Sequence, residues 1–142
     1  MRQAYEITLN NNDGEEITLK LRIDIRGQMA IKKKYGEEAA TVIGEAISDI
    51  EKMAFVLTQA LTYKHNENSI TDGADLYDLL VDNGYAGPIA FAEFLTTVAV
   101  YSGAMDEESK EEIDSLVRGT YRKNLSEETG KNEKNAAKTS EK

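Results

Sequence analysis

The 142-residue sequence contains no cysteine or tryptophan, and it has only one histidine and one proline. Without cysteine, disulfide bonds and thiolate metal sites are excluded. His65 has no second histidine or cysteine to share a metal ion with and stands among polar residues, so we expect a solvated side chain. Gly-rich phosphate loops, Cys/His clusters and nucleophilic serine motifs are also missing. We therefore expect no enzymatic activity and no bound metal or cofactor.

Long apolar runs are missing as well. No stretch approaches the roughly 18 apolar residues that a membrane-spanning helix needs, and the first residues lack the apolar run of a signal peptide. The net charge of −9 and the isoelectric point near 4.7 give a field that repels phosphate backbones. We expect a cytoplasmic protein with one main domain that contacts neither membrane nor nucleic acid.

The N-terminal part alternates apolar and polar residues. Tyr5, Ile7 and Leu9 indicate a half-buried strand, and residues 10–14 (NNNDG) favour a tight turn. A calcium loop fails because, counted back from Gly14, its first ligand would be a leucine. A second strand is predicted from Ile17 to Ile25, with its apolar face covered by helices. A short helix should then end in three lysines, Tyr35 and the capping residue Gly36.

Two helices are predicted in the middle of the chain. The first covers residues 37–47. The second begins at a capping box, with Ser48 as N-cap and Glu51 three residues later. Its predicted buried stripe consists of Ile50, Met53, Ala54, Leu57 and Leu61. Phe55 falls on the other side of this helix, where either a neighbouring helix or a partner covers it.

A further helix is predicted over Ala74–Asn83, capped by Thr71 or Asp72. Leu76, Leu79 and Leu80 should point inward. The opposite side carries Asp75, Asp78 and Asp82, which we interpret as a solvated face rather than a metal site, because no second cluster completes a coordination shell.

The last strongly apolar helix covers residues 89–102, with Pro88 in its first turn and Gly103 at its end. Apolar residues occupy nearly its whole circumference, which is typical of a helix buried in its own domain or in an interface. One stripe is a candidate partner-binding surface together with Phe55; it comprises Phe91, Phe94, Leu95, Val98 and Tyr101. The alternative that the stripe is simply core stays open, and self-association is another way to cover the helix.

These elements predict an α+β fold, with an N-terminal β-hairpin on a bundle of about four to five α-helices and a disordered C-terminal tail. Residues 1–105 should form the hairpin and helical domain. Residues 106–123 should form a peripheral amphipathic helix with Ile113, Leu116, Val117 and Tyr121 on one side. Residues 124–142, which are charged and lack large apolar side chains from Ser126, should be disordered.

The order of these elements is similar to that of a known family. The hairpin leads into a helix ending in Lys-Lys-Tyr-Gly; later come the apolar segment MAFVLTQAL (53–61), the segment DLYDLL (75–80), the closing Asp82-Asn83-Gly84 and an apolar helix. Over residues 5–105 the chain resembles the tail assembly chaperones of long-tailed bacteriophages and prophages, a group that includes gene-transfer-agent versions.

The resemblance implies a non-enzymatic role in the cytoplasm of a bacterial host. Such proteins bind the long, helical, apolar tape-measure protein, keep it soluble and help recruit tail-tube subunits. Two other functions remain in competition. One is a small structural virion component, such as a tail or head-completion protein. The other is a helix-turn-helix regulator built on Asp75–Val100, against which the acidity and the missing basic recognition helix argue.

Overall fold

The computed structural model of the chain describes residues 4–61, 70 and 72–120. Within these ranges, two antiparallel strands are followed by six helices, so the predicted α+β fold, with a hairpin ahead of a helical bundle, is confirmed. The elements are β1 (Tyr5–Asn10), β2 (Glu16–Leu21), α1 (Ile25–Tyr35), α2 (Ala39–Ala46), α3 (Ile50–Leu61), α4 (Gly73–Asp82), α5 (Gly87–Ser102) and α6 (107–120).

The hairpin places its apolar residues on one face. Ile7 pairs with Leu19 and Leu9 with Ile17 in the antiparallel register. Ile7, Leu9 and Leu19 are buried, whereas the intervening Thr8 is exposed. In the predicted turn, the Asn11 side chain accepts hydrogen bonds from two backbone N–H groups. The Asn11 N–H donates to the Glu15 carbonyl, and the Gly14 N–H donates to the Asn11 carbonyl.

The second strand ends at Leu21, so the predicted extension to Ile25 is wrong. The backbone N–H of Arg22 donates to the Ala60 carbonyl in α3, and that of Ile23 donates to the hydroxyl of Ser102 in α5. Asp24 then caps α1, with its carboxylate accepting from the Gly27 N–H at 2.9 Å. Ile23 is buried, but Ile25 stands exposed in the first turn of α1.

Helix α1 ends as the sequence predicts. Gly36 adopts a left-handed φ of 74°, its N–H bonds to the Lys32 carbonyl, and three lysines occupy the last turn. The helix lies close to α3 because Gly27 has no side chain: a Cβ there would stand 3.3 Å from the Cβ of Gln59. Gly27 and Ile31 form its buried side.

The cap of α3 differs from the predicted capping box. The Asp49 carboxylate accepts from the N–H groups of Glu51 and Lys52, while the Ser48 hydroxyl donates to the Glu45 carbonyl. The predicted stripe is right for Met53, Leu57 and Leu61, which are buried. Ala54 is half-buried, and the prediction is wrong for Ile50, which is 61% exposed. Asp49, and not Ser48, is therefore the N-cap of α3, because it stands directly before Ile50, the first helical residue.

Helix α4 begins at the predicted Asp72, whose carboxylate accepts from the Ala74 N–H. Its three leucines are buried, as predicted. Its first residue, Gly73, touches α3: an added Cβ would stand 1.9 Å from the Ala54 carbonyl oxygen, and the Gly73 N–H donates to the Thr58 hydroxyl at 2.8 Å. Glycine is required here by this close approach of backbone to backbone.

Helix α5 is the centre of the core. Strand β1 and helix α2 pack against it, and the ring of Tyr77 from α4 stacks on Phe91. On a further side, Thr96 bonds to Asp114 of α6 at 3.2 Å. Because neighbours surround it, apolar residues around most of its circumference are buried, which explains the sequence pattern.

Helix α6 covers the outside of α2 and α5. Asp106 caps it by accepting from the Ser109 N–H at 2.7 Å. Ile113 packs against the core beside Gly44, whereas Leu116 is exposed. None of the helices in the described ranges is long and apolar enough to cross a bilayer. The solvated His65, Tyr121 and the disordered tail 124–142 were predicted in segments that lie outside the described residues.

Candidate partner-binding surface

Four of the six predicted partner-binding residues belong to the core. Phe91, Phe94, Leu95 and Val98 are each at most 4% exposed. The stripe on α5 is therefore not an accessible surface of the described chain, and for these four residues the alternative that they are core is confirmed.

Tyr101, the fifth stripe residue, is 46% exposed. Its ring centroid stands 5.2 Å from that of Tyr5 in β1, and Tyr5 in turn meets Phe94 edge to face at 6.1 Å. Tyr101 thus continues an internal aromatic cluster to the surface beside the hairpin. Binding of a partner by Tyr101 stays a prediction.

Phe55 is partly buried by the neighbouring helix, which was one of its two predicted environments. Tyr35 at the end of α1 meets the Phe55 ring edge to face at 5.7 Å. The ammonium of Lys34 lies 4.4 Å from the centre of the same ring, within the range of a cation–π contact. Phe55 therefore anchors the end of α1 on α3, and partner binding through it also remains a prediction.

The surface does contain an apolar groove, which we name the α3–α5 groove. It has a volume of about 310 Å³ and lies between the start of α3, the start of α5 and Tyr77 of α4. Its lining residues are Ala46, Ile47, Ser48, Asp49, Ile50, Met53, Tyr77, Gly87, Pro88 and Phe91. Phe91 is the one residue of the predicted set that lines it.

The groove combines buried and exposed apolar residues. Met53 and Phe91 are nearly completely buried and therefore form its deep part, whereas Ile50 is largely exposed at its edge. Such a site suits an apolar side chain projecting from a partner helix, because anchors of helical ligands insert into apolar pockets of this kind. One carboxylate oxygen of Asp49 accepts both capping bonds of α3. Most of the other lining residues are apolar, so the groove acts mainly through apolar contact.

Local structure explains why Ile50 is exposed. With Asp49 as N-cap, Ile50 is the first helical residue and extends beyond the neighbours that cover the later turns of α3. On the α5 side, Gly87 adopts a left-handed φ of 81°, and Pro88 follows in the first turn. Spacing alone cannot show this. A residue at the end of a helix can have the spacing of a buried stripe and still lie beyond the last neighbouring element that would bury it.

A charged cluster joins α2 to α3 next to Ala46. The Lys52 ammonium lies 3.1 Å from a Glu45 carboxylate oxygen. This hydrogen bond lowers the pKa of Glu45 and raises the pKa of Lys52. A hydrogen bond from Glu37 to Glu45 raises the pKa of Glu37. The cluster holds the two helices together, and Asp49 is the one charged residue that lines the groove.

A second, larger concavity has a different chemistry. It measures about 790 Å³ and lies between the hairpin turn and α4, which are joined by hydrogen bonds of the Asn83 amide with the Asn10 backbone. Its polar lining includes Asp13, Glu15, Asp75, Asp78 and Asp82. The three α4 aspartates are exposed, as predicted for a solvated face, and the described residues contain no group that could hold a metal ion.

The acidic outer face of α4 and the burial of α5 also bear on the helix-turn-helix alternative. A recognition helix needs an accessible face with basic or amide side chains. Glu93 is the only charged residue of α5, and α4 exposes aspartates. This pair of helices therefore lacks the surface that would read a DNA groove.

Comparison with known proteins finds no matching family profile, no similar curated protein and no similar solved structure. The candidate surface therefore rests on the geometry of this chain.

Proposed function

We propose that this chain is a tail assembly chaperone, which binds the tape-measure protein in the cytoplasm of a bacterial host and assists tail assembly by recruiting tail-tube subunits. The observation that carries the proposal is the order of elements over residues 5–105, from the hairpin through the capped helices to the apolar helix. In this role the chain acts by binding and performs no chemistry.

The α3–α5 groove supports the proposal physically. A chaperone of a long apolar helix needs a site for apolar side chains that repeat along one helix face. Ile50 and the groove behind it offer such a site, and the net charge of −9 keeps a complex with an apolar partner in solution. We therefore assign the first contact with the tape-measure protein to this groove instead of the predicted α5 stripe.

The test is co-expression with the tape-measure protein encoded in the same gene neighbourhood, followed by measurement of its soluble fraction and by co-purification. We expect the wild-type chain to increase the soluble fraction. Ile50→Glu should reduce this effect, because a carboxylate at the groove edge would be desolvated by an apolar partner. The variant should fold, since Ile50 is exposed and glutamate is favourable in a first helical turn.

Leu116→Glu is the matched control, because it makes the same kind of change at an exposed apolar residue of α6 outside the groove. It should retain wild-type activity. A tape-measure protein that is equally insoluble with and without the chain would overturn the proposed function. If Ile50→Glu retained full activity, the binding site would have to lie elsewhere. Finding the chain in purified particles would favour a structural virion protein.

A further inference from the structure

The α3–α5 groove has one carboxylate at the edge of its apolar interior. Asp49 is the only charged residue among those that line it, and it is half-buried next to the exposed Ile50. An apolar partner that covers Ile50 therefore also removes water from the Asp49 carboxylate. Because desolvation of an unpaired charge is costly, a partner that binds well has to supply a group that pairs with it.

The Asp49 carboxylate has one oxygen available for such a group. Oδ1 accepts both capping bonds, from the N–H of Glu51 at 3.1 Å and from that of Lys52 at 3.2 Å. Among the residues that the structure describes, none donates a hydrogen bond to Oδ2 or forms an ion pair with Asp49. Since each oxygen of an ionised carboxylate can accept hydrogen bonds, Oδ2 can bind an ammonium or a guanidinium while Oδ1 caps α3.

The four helices that line the groove are acidic. Helices α2, α4 and α5 contain acidic residues and no basic one. The single basic residue of α3 is Lys52, whose ammonium lies 3.1 Å from a Glu45 carboxylate oxygen. This hydrogen bond raises the pKa of Lys52, and the charges of Asp49 and Glu37 add to the effect, so three carboxylates share one cation. The charge beside the groove is therefore negative.

From this arrangement we propose that the α3–α5 groove selects helical segments in which an apolar anchor is flanked by lysine or arginine, and that Asp49 determines this specificity by binding the cation through Oδ2. The anchor covers Ile50 and points toward Met53 and Phe91. A basic side chain three or four positions away lies on the same face of the partner helix and reaches Asp49.

Segments with acidic flanks are rejected, because their carboxylates would approach that of Asp49. The inference rests on the proposed function, for which it names the kind of tape-measure segment that is bound.

The test uses three synthetic helical peptides as probes. They share one leucine stripe with i, i+4 spacing and differ only in the residues that flank it, which are lysine, glutamine or glutamate. Binding to the purified full chain is measured by fluorescence anisotropy of a dye on the peptide at several salt concentrations. We expect the lysine peptide to bind roughly 10-fold more tightly than the glutamine peptide at low salt, and the glutamate peptide to bind most weakly. The preference for lysine should shrink as salt is added.

Asp49→Asn tests the assigned residue, because it removes the charge and keeps a side-chain oxygen that can cap α3. It should weaken the lysine peptide to about the affinity of the glutamine peptide, which itself should be unaffected. Asp75→Asn is the matched control: it makes the same change at an exposed residue of α4 outside the groove and should retain the preference. Ile50→Ser should weaken all three peptides by a similar factor, since it removes apolar contact without changing the charge.

Equal binding of the three peptides to the wild-type chain would overturn the inference, and this comparison needs no variant. Rejection of all three, as expected if another segment of the chain filled the groove, would also overturn it. The same holds if Asp49→Asn kept the preference for lysine, if Asp75→Asn lost it, or if Ile50→Ser bound every peptide like the wild type.

The co-expression experiment tests the proposed function separately. If the chain solubilises the tape-measure protein but binds the three peptides equally, the function stands and the inference about Asp49 is wrong. If the chain binds the lysine peptide through Asp49 but leaves the tape-measure protein insoluble, the groove has this specificity and the proposed function is wrong.

Discussion

Helices α5 and α1 both contain apolar residues on several sides, yet the fold treats them in opposite ways. The candidate binding residues of α5 are almost all buried, whereas Ile25 of α1, predicted to face the core, is exposed. Helix α5 has β1, α2, α6 and Tyr77 around it, while α1 packs on α2 and α3 with one side only. The number of neighbours, more than the apolar content of a helix, decides which residues are core.

The difference also extends to charge. Helix α5 has one charged residue, Glu93, whereas α1 has four basic residues and no acidic one. A buried helix cannot carry charges without partners, so its sequence is nearly neutral. A helix with one solvent-facing side can carry charged residues on that side, where water solvates them.

The largest expected effect is a difference in stability between truncations of apolar side chains in α5 and in α1. Leu95→Ala in α5 should lower the free energy of unfolding by about 2–5 kcal/mol, because it removes a fully buried side chain and leaves a cavity. Ile25→Ala in α1 should change it by less than about 0.5 kcal/mol, since the side chain is exposed. Urea denaturation in dilute protein measures both. Equal losses for the two variants would show that the assignment of core and surface is wrong.

A smaller effect is expected where α5 is joined to the segment before α1. The Ser102 hydroxyl accepts from the Ile23 N–H at 2.7 Å and donates to the Val98 carbonyl at the same distance, in a buried position. Ser102→Ala leaves the Ile23 N–H without its acceptor, which should cost about 1–3 kcal/mol.

Thr97→Ala is the control for this link, because the Thr97 hydroxyl bonds only within its own helix, to the Glu93 carbonyl, at an exposed site. Its effect on the urea midpoint should be clearly smaller than that of Ser102→Ala. If the two variants were equally stable, the bond between Ser102 and Ile23 would not contribute to holding the two regions together.

The smallest expected effect concerns the helix that covers the outside of α5. Hydrogen bonds from the backbone and side chain of Ser109 lower the pKa of Asp106. A carboxyl group whose pKa is lower in the folded state stabilises the fold above its unfolded pKa, and this contribution is lost as the pH falls through the folded pKa. The stability difference between wild type and Asp106→Ala should therefore narrow on acidification, as measured by thermal unfolding at several pH values. A difference that widened in acid would contradict this role for the cap.

The sequence predicted the local elements well. Alternation located both strands, and the caps Asp72, Gly36 and Gly103 were recognised from their residue types and positions. These features are predictable because a strand period, a turn or a cap depends on residues only a few positions apart. The prediction of Ser48 as the N-cap of α3 is wrong: the next residue, Asp49, caps the helix, and both are good N-cap residue types.

The candidate site was largely beyond prediction. The sequence pattern predicts Phe91 as a contact residue, but the α3–α5 groove also needs residues 46–50, Met53, Tyr77 and the turn at Gly87. Several of these are distant from Phe91 in the sequence. Periodicity identifies an apolar stripe on a helix, but it does not show whether another element of the same chain or a partner protein covers that stripe. For that reason the sequence predicts Ile50 in the core and Phe94 among the candidates for partner contact, whereas in the structure Ile50 is exposed and Phe94 is buried.

By itself, the sequence determined which segments become strands, helices and turns, the absence of cysteine chemistry and the strong excess of acidic residues. Tertiary structure alone decided that α5 is enclosed, that Ile25, Met29 and Ile50 are exposed, and that α1 and α4 contact different sides of α3. The physical reason is the range of the interactions. Backbone conformation responds to nearby residues, whereas burial depends on which distant elements come to lie alongside.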